Sequence, residues 1–142
     1  MKLLVSACLL GACCRYDGKS KPNEAVCALL ARHQLIPICP EQLGGLATPR
    51  APAECRGERV VTASGMDVSA QYEKGAQEAV RIAKQFGCEC AILKEHSPSC
   101  GCDAIYDGTF SGRLITGQGR TAKRLMENGV TVLGESHIER GK

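Results

Sequence analysis

The sequence is poor in the features that mark several common classes of protein. Aromatic residues make up only 4% of the 142 residues and tryptophan is absent, so the chain has few of the stacking side chains that bind single-stranded nucleic acid. No apolar run approaches the roughly 18 residues of a membrane-spanning helix. The formal net charge is only +3, without a lysine or arginine block, which disfavours a dedicated nucleic-acid-binding surface.

Cysteine is the residue that the chain has in excess, with ten in all. No two of them are spaced as Cys-x2-Cys, which disfavours zinc ribbons and ferredoxin-type runs. The apolar run that begins at Leu3 is shorter than the roughly 7–15 residues of a secretory signal core. We therefore expect a cytoplasmic protein whose thiols stay reduced and serve metal binding or catalysis.

Three of the cysteines follow short apolar segments that predict buried strands. Cys8 follows the N-terminal run, Cys39 follows residues 35–38, and Cys100 follows residues 90–94 after a short loop. In an open parallel α/β sheet, ligands bind outside the carboxyl ends of the strands. The central expectation is therefore that these three thiols meet in one pocket.

The order of the remaining segments predicts one α/β domain over residues 1–142. The stretch 39–52 holds three prolines and two glycines, which favours a structured loop over a long helix. Helices are expected at 21–33, with Ala25, Leu29 and Leu30 on the apolar face, at 67–86 and at 122–128; further strands are expected at 59–62 and 130–133. With right-handed crossovers this order gives a three-layer, Rossmann-like sandwich around a mainly parallel sheet of about four to five strands.

Chemically useful side chains lie beside the strand-end thiols. Glu41 stands two residues beyond Cys39, and a carboxyl shielded by the loop could donate or accept a proton near neutral pH. Ser97 and Ser99 could hydrogen-bond a substrate atom or orient a water, or they could stabilise the turn. His96 is expected to be a loop or interface residue.

The other cysteines leave an alternative open. Cys88 and Cys90, and likewise Cys100 and Cys102, alternate along extended chain, so a structural zinc site with four thiolates is a competing interpretation. Three thiols alone form an incomplete ligand set for zinc, copper(I) or an iron–sulfur cluster, with one position free for substrate. The expected buried hydrophobic thiols are Cys27 and Cys90, and the expected surface or loop thiols are Cys55 and Cys88.

Four motifs taken together are similar to a known bacterial family. They are Ser6-Ala7-Cys8-Leu9-Leu10-Gly11 with Cys14-Arg15-Tyr16-Asp17-Gly18, Cys39-Pro40-Glu41-Gln42-Leu43-Gly44-Gly45-Leu46 with Thr48-Pro49-Arg50, Ala91-Ile92-Leu93-Lys94 with Ser97-Pro98-Ser99-Cys100-Gly101, and Tyr106-Asp107-Gly108-Thr109-Phe110-Ser111-Gly112. The set resembles the thiouracil desulfurases, a small family long labelled as a domain of unknown function, and it spans roughly residues 2–135.

The resemblance implies a [4Fe-4S] cluster held by Cys8, Cys39 and Cys100, with one iron open to the sulfur of a thiolated pyrimidine such as 2-thiouracil. It also implies non-redox replacement of that sulfur by oxygen, with sulfide released. Glu41 is then the acid–base residue and Ser97 a positioning residue. The alternative function is a structural zinc or iron–sulfur module without turnover.

The resemblance also bears on the remaining positions near the motifs. The residues expected to contact the small-molecule substrate are Tyr16, Ser99 and Gly101. Cys14 belongs to the family pattern, as a neighbouring thiol or an alternative ligand. Cys13 and Cys102 are additional to that pattern.

Overall fold

Four parallel strands form the centre of the protein, whose structure is a computed structural model that describes residues 1–138. The predicted domain extends to residue 142, so its residues 139–142 lie outside the described part. The elements in chain order are β1 (Lys2–Ser6), α1 (Glu24–Ala28), β2 (Gln34–Ile38), α2 (Pro40–Leu43), β3 (Ala53–Arg56), β4 (Arg59–Thr62), α3 (Ser69–Phe86), β5 (Cys90–Leu93), β6 (Ala104–Tyr106), β7 (Leu114–Thr116), α4 (Arg120–Glu127) and β8 (Thr131–Gly134), with 3-10 turns at Ala7–Leu10, Leu29–Ala31 and Glu135–His137.

The central sheet has the strand order β2-β1-β5-β8, and each neighbouring pair is parallel. β1 lies between two partners, so that Leu4 stands opposite Ile36 on one side and Ala91 on the other. The side chains of Leu4 and Val5 are fully buried, because a parallel strand in the middle of a covered sheet has both faces packed. The apolar run at the N-terminus is thus the centre of the core.

Helices cover both faces of this sheet, since side chains alternate between the two faces along each strand. On one face, Leu4 packs in a cluster with Ala83 of α3 and Leu125 of α4. On the opposite face, Leu3 packs in a second cluster with Val26 of α1. The three-layer α/β sandwich predicted from the order of the segments is confirmed, with four strands in the sheet.

The first helix is shorter than the sequence predicts. The Asn23 side chain accepts a hydrogen bond from the backbone N–H of Val26 at 3.0 Å and so caps the start of α1. The α-helical hydrogen bonding ends at Ala28, and the chain tightens into a 3-10 turn, which rotates the following side chains. The expected apolar position of Leu30 is therefore wrong, because Leu30 is 61% exposed.

Two antiparallel hairpins stand beside the sheet. The predicted strand at 59–62 is β4, which pairs with β3, and the turn-rich segment after Cys100 forms the pair β6 and β7. Cys88 lies in the expected loop, before β5, whereas Cys55 lies on β3; both are buried, so the expected exposure at the surface is wrong. Each packs within an apolar cluster, as a small hydrophobic residue does.

A close contact between two helices sets the position of α2. Gly44, at the end of α2, and Gly75, in the middle of α3, face each other, and a Cβ at Gly75 would overlap the carbonyl oxygen of Pro40. The glycines therefore let two backbones approach more closely than side chains would permit. This contact holds the segment that carries Cys39 and Glu41.

The substitution Gly75→Ala tests this contact. In an open helix it would raise the free energy of unfolding by roughly 1 kcal/mol, but here we expect a decrease of about 1–3 kcal/mol because the new methyl group meets the backbone of α2. Urea denaturation measures the change. Gln77→Ala, on the exposed side of α3, is the control and is expected to stay within about 0.5 kcal/mol of the wild type. Stabilisation by Gly75→Ala would contradict the contact.

Candidate active site

The carboxyl ends of three strands meet at a cavity of about 430 Å³. β1 leads into the 3-10 turn with Cys8, β2 ends one residue before Cys39, and β5 leads through a short loop to Cys100. All three cysteines line the cavity. The structure thus brings together thiols that are far apart in the sequence, because the strands that carry them are parallel neighbours.

Cys14 lines the same cavity as a fourth thiol. The Cys39 thiol donates a hydrogen bond to the Cys14 carbonyl oxygen at 3.6 Å, which joins the segment of Cys39 to that of Cys14. Within residues 1–138, no three His, Cys, Asp or Glu side chains come close enough together to hold a single metal ion. The thiols instead line the wall of an open space.

The turn that carries Cys100 is held by side-chain hydroxyls. The Ser97 oxygen accepts hydrogen bonds from the backbone N–H groups of Ser99 at 3.2 Å and Cys100 at 2.6 Å. The Ser6 hydroxyl donates to the Cys100 sulfur at 3.5 Å and accepts from the Lys94 N–H at 2.9 Å. Cys100 is therefore tied to the ends of both β1 and β5.

The pKa values of three cavity thiols, those of Cys14, Cys39 and Cys100, are raised, so these thiols are hard to ionise without a bound cation. Burial raises the pKa of Cys100 to about 12. The hydrogen bond with Cys14, and then burial, raise the pKa of Cys39. For Cys14, the hydrogen bond with Cys39 lowers the pKa, but the bond with Cys8 and burial raise it, and the net shift is upward. As thiolate ligands they would require a positive group in the cavity, and binding it would release protons.

Glu41 lies on the cavity wall in a fixed orientation. Its Oε1 accepts a hydrogen bond from the Tyr72 hydroxyl at 2.7 Å and another from Arg50 Nε at 3.0 Å. Burial and then the neighbouring Glu41 carboxylate raise the pKa of Tyr72, so this hydroxyl remains a donor. Among the described residues, none donates to Oε2 of Glu41, and that oxygen is left for a ligand or a water.

Arg50 connects the segments around Glu41. Besides Glu41, its guanidinium donates to the carbonyl oxygen of Cys14 at 2.9 Å, and to the Ala47 carbonyl and the Thr48 hydroxyl at 3.1 and 2.9 Å. Its side chain is only 7% exposed. One planar cation with several donors in fixed directions thus joins the Cys14 loop to the segment around α2.

Some of the predicted site residues line the cavity and others do not. Tyr16 and Ser97 line the cavity with Glu41, whereas Ser99 and Gly101 do not. The Ser99 hydroxyl pairs with Thr121 Oγ1 at 2.9 Å instead, and Gly101 is packed against Ile105, where a Cβ would come within 2.8 Å of that side chain. Direct contact of Ser99 or Gly101 with a substrate is therefore not supported. Cys13 and Cys102 also lie outside the cavity lining.

Sequence reasoning missed several residues of the cavity. Ser6, Arg50, Tyr72, His96, Tyr106 and Phe110 all line it. The signal for Arg50 was its place in the Thr48-Pro49-Arg50 motif. The signal for Tyr72 was that it is the one tyrosine of α3, where it is 3% exposed and has small and polar neighbours in the sequence. Without the fold, neither signal separates a site residue from an ordinary core or loop residue.

A family model and a solved structure of a known protein both match this chain and agree with each other. The sequence model of a family described as 2-thiouracil desulfurase matches residues 3–137. The uncharacterized protein YbbK of Bacillus subtilis (strain 168) is 43% identical over 146 residues, which cover 96% of this chain and 97% of that protein. The solved structure of a [4Fe-4S]-dependent thiouracil desulfidase, TudS, is similar with a TM-score of 0.92 and 46% identity, covering 96% of this chain and 92% of that one. Among residues 1–138, none of the helices combines the length and apolar character needed to cross a membrane.

The role of Arg50 in joining the segments is tested by Arg50→Lys. The lysine ammonium cannot reproduce the planar set of hydrogen bonds, so we expect the free energy of unfolding to fall by roughly 2 kcal/mol. The control is Arg59→Lys, whose ion pair with Asp67 is exposed and which is expected to change stability by less than about 0.5 kcal/mol. Denaturant unfolding of both variants measures the difference, and equal small effects would contradict the assignment.

Proposed function

This chain belongs to the 2-thiouracil desulfurase family, and we propose from that membership that it converts a thiolated pyrimidine and water into the oxo pyrimidine and hydrogen sulfide. The carbon–sulfur bond breaks and a carbon–oxygen bond forms at the same ring carbon, with no net transfer of electrons. The observation that carries this proposal is one cavity in which thiols from three strand ends stand beside the Glu41 carboxylate. The cavity volume of about 430 Å³ suits a small molecule.

The thiols fit the [4Fe-4S] cluster on which the similar protein TudS depends. We propose that Cys8, Cys39 and Cys100 would hold such a cluster, because soft thiolates are the ligands that iron–sulfur clusters take. When bound, the cluster would supply an open iron, a soft Lewis acid for the thiocarbonyl sulfur. Cys14, whose carbonyl is held by Arg50, would be a neighbouring thiol rather than a ligand.

Glu41 is proposed to handle the proton of the attacking water. Its Oε1 is occupied by Tyr72 and Arg50, so the carboxylate cannot rotate without breaking two hydrogen bonds. The second oxygen, Oε2, would accept a proton from a water in the cavity as the water oxygen attacks the ring carbon. The same carboxyl group can then return that proton to the departing sulfide.

Ser97 is proposed to orient the substrate or the water. Its oxygen already accepts two backbone N–H bonds, so its own O–H proton remains available for donation. The two N–H donors also polarise the hydroxyl, which strengthens that donation. The target would be a ring heteroatom of the pyrimidine or the attacking water.

The ligand assignment is tested with cysteine-to-serine variants purified and reconstituted without oxygen. Cys8→Ser, Cys39→Ser and Cys100→Ser are each expected to lose most of the iron and acid-labile sulfide of the wild type. Cys13→Ser and Cys102→Ser are the matched controls, because neither cysteine lines the cavity, and they should keep both. Loss of iron only in Cys102→Ser would contradict the assignment, and a colourless wild type with one zinc would favour a structural module.

The role of Glu41 is tested with Glu41→Gln, which keeps an oxygen acceptor for Arg50 and Tyr72 but removes the base. We expect kcat/KM for 2-thiouracil to fall by roughly 10²- to 10⁴-fold, with iron content unchanged. Sulfide release from 2-thiouracil measures turnover. Glu78→Gln is the control, since Glu78 is paired with Arg81 on α3 outside the cavity lining. Full activity of Glu41→Gln would remove Glu41 from the mechanism.

A further inference from the structure

The aromatic residues of this chain are concentrated at the cavity. The chain has three tyrosines and two phenylalanines and no tryptophan. Four of these five side chains line the cavity, namely Tyr16, Tyr72, Tyr106 and Phe110. The fifth, Phe86, is 46% exposed at the end of α3. The proposed reaction uses Tyr72 to hold Glu41 but assigns no role to Phe110.

Phe110 lies on an arm, residues 107–113, that connects β6 with β7. The arm is seated on β3 by two side chains that face the same side of that strand. Glu54 Oε1 accepts the backbone N–H groups of Gly108 and Phe110 at 3.0 and 3.1 Å. Arg56 donates to the Gly108 carbonyl oxygen from Nε and Nη2 at 3.2 and 2.7 Å.

The contact between the arm and β3 is close and is made by polar groups. Glu54 is only 9% exposed, so its carboxylate depends on the arm for hydrogen bonds that water would otherwise supply. Gly108 has a φ of +93°, and a Cβ there would come within 2.7 Å of the Cys55 carbonyl oxygen. The arm can therefore lie on β3 only with glycine at this position.

The backbone at Phe110 is in an unfavourable conformation. Its φ is +58°, and within residues 1–138 the one other non-glycine residue with positive φ is His96, at +74°. Both residues line the cavity, and the His96 ring packs edge-on against Tyr106 with ring centroids 6.1 Å apart. Left-handed backbone is disfavoured for residues with a Cβ and is concentrated where function requires a particular side-chain position.

We propose that Phe110 stacks on the heterocycle of the substrate, and that Glu54 is the positioning residue that holds Phe110 in place through the backbone of the arm. The proposal rests on the proposed function and specifies its substrate as a planar, thiolated heterocycle. A pyrimidine has a π-face that pairs with a phenyl ring regardless of its exocyclic groups. Stacking on Phe110 therefore selects a flat ring, and the cluster that the thiols would hold would select the thiocarbonyl sulfur.

The stacking role is tested by the affinity of the cluster-containing protein for uracil, the desulfurated ring, measured by isothermal titration calorimetry without oxygen. Phe110→Leu keeps an apolar side chain but loses the flat face, and we expect its dissociation constant to rise roughly tenfold or more. Phe110→Tyr keeps the ring and is expected to bind within about threefold of the wild type. Phe86→Leu alters the other phenylalanine of the chain and is expected to leave the dissociation constant for uracil unchanged. Iron content is measured for each variant and should match the wild type.

The positioning role of Glu54 is tested with matched variants. Glu54→Ala removes the acceptor for both N–H groups, and Gly108→Ala forces the arm off β3; each should raise the dissociation constant for uracil and KM for 2-thiouracil by about as much as Phe110→Leu. Because Glu54 is assigned no chemistry, kcat should change much less than KM. Glu54→Gln keeps an oxygen acceptor and should restore most of the affinity.

The results separate this proposal from the proposed function. If uracil binding depends on Phe110 but no sulfide is released from 2-thiouracil, the stacking role of Phe110 is supported and the desulfuration reaction is rejected. Sulfide release with equal uracil affinity in the wild type, Phe110→Leu and Phe110→Tyr would overturn the stacking role. Lower stability of Glu54→Ala without a change in affinity would make Glu54 a structural residue only and would overturn its positioning role.

Discussion

The parallel pairing of β1 with both β2 and β5 is the constraint on which the site depends. Since the three strands run in the same direction, their carboxyl ends meet at one edge of the sheet, and the residues that follow them share one cavity. The burial of Leu4 and Val5 holds β1 in the middle of the sheet. Hydrophobic packing beneath the cavity thus sets the positions of Cys8, Cys39 and Cys100 in the cavity lining.

Above the sheet, the site is held by polar contacts in place of further apolar packing. Arg50 joins Glu41 to the Cys14 loop, Ser97 fixes the turn before Cys100, and Glu54 seats the arm that carries Phe110. Glu54 is buried, and Arg50 and Ser97 are half-buried, so each depends on its protein partners for hydrogen bonds. Polar groups with fixed partners favour one arrangement of the cavity wall.

Most of the fold could be predicted from apolar periodicity and from turn residues in the sequence. The long helix was expected at 67–86, and α3 runs from Ser69 to Phe86; its end at the left-handed Gly87 was expected from residue type, whereas its start lies two residues later than expected. Leu30 was misplaced because one turn of α-helix tightened into a 3-10 turn. The burial of Cys55 and Cys88 was not predicted, because burial of a short segment depends on what packs over it, which local pattern does not reveal.

The sequence by itself determined which family the chain belongs to and that strand-end cysteines would share a pocket with Glu41, because strand ends and thiol positions are local features. Only the tertiary structure decided what surrounds that pocket. Tyr72 reaches Glu41 across 31 residues, and Glu54 reaches Phe110 across 56. Ser99 and Gly101, adjacent to Cys100 in the chain, lie outside the cavity lining. Adjacent residues in a turn can have side chains on different sides of that turn. Contacts between distant residues depend on how helices and hairpins pack, and local sequence patterns do not encode that packing.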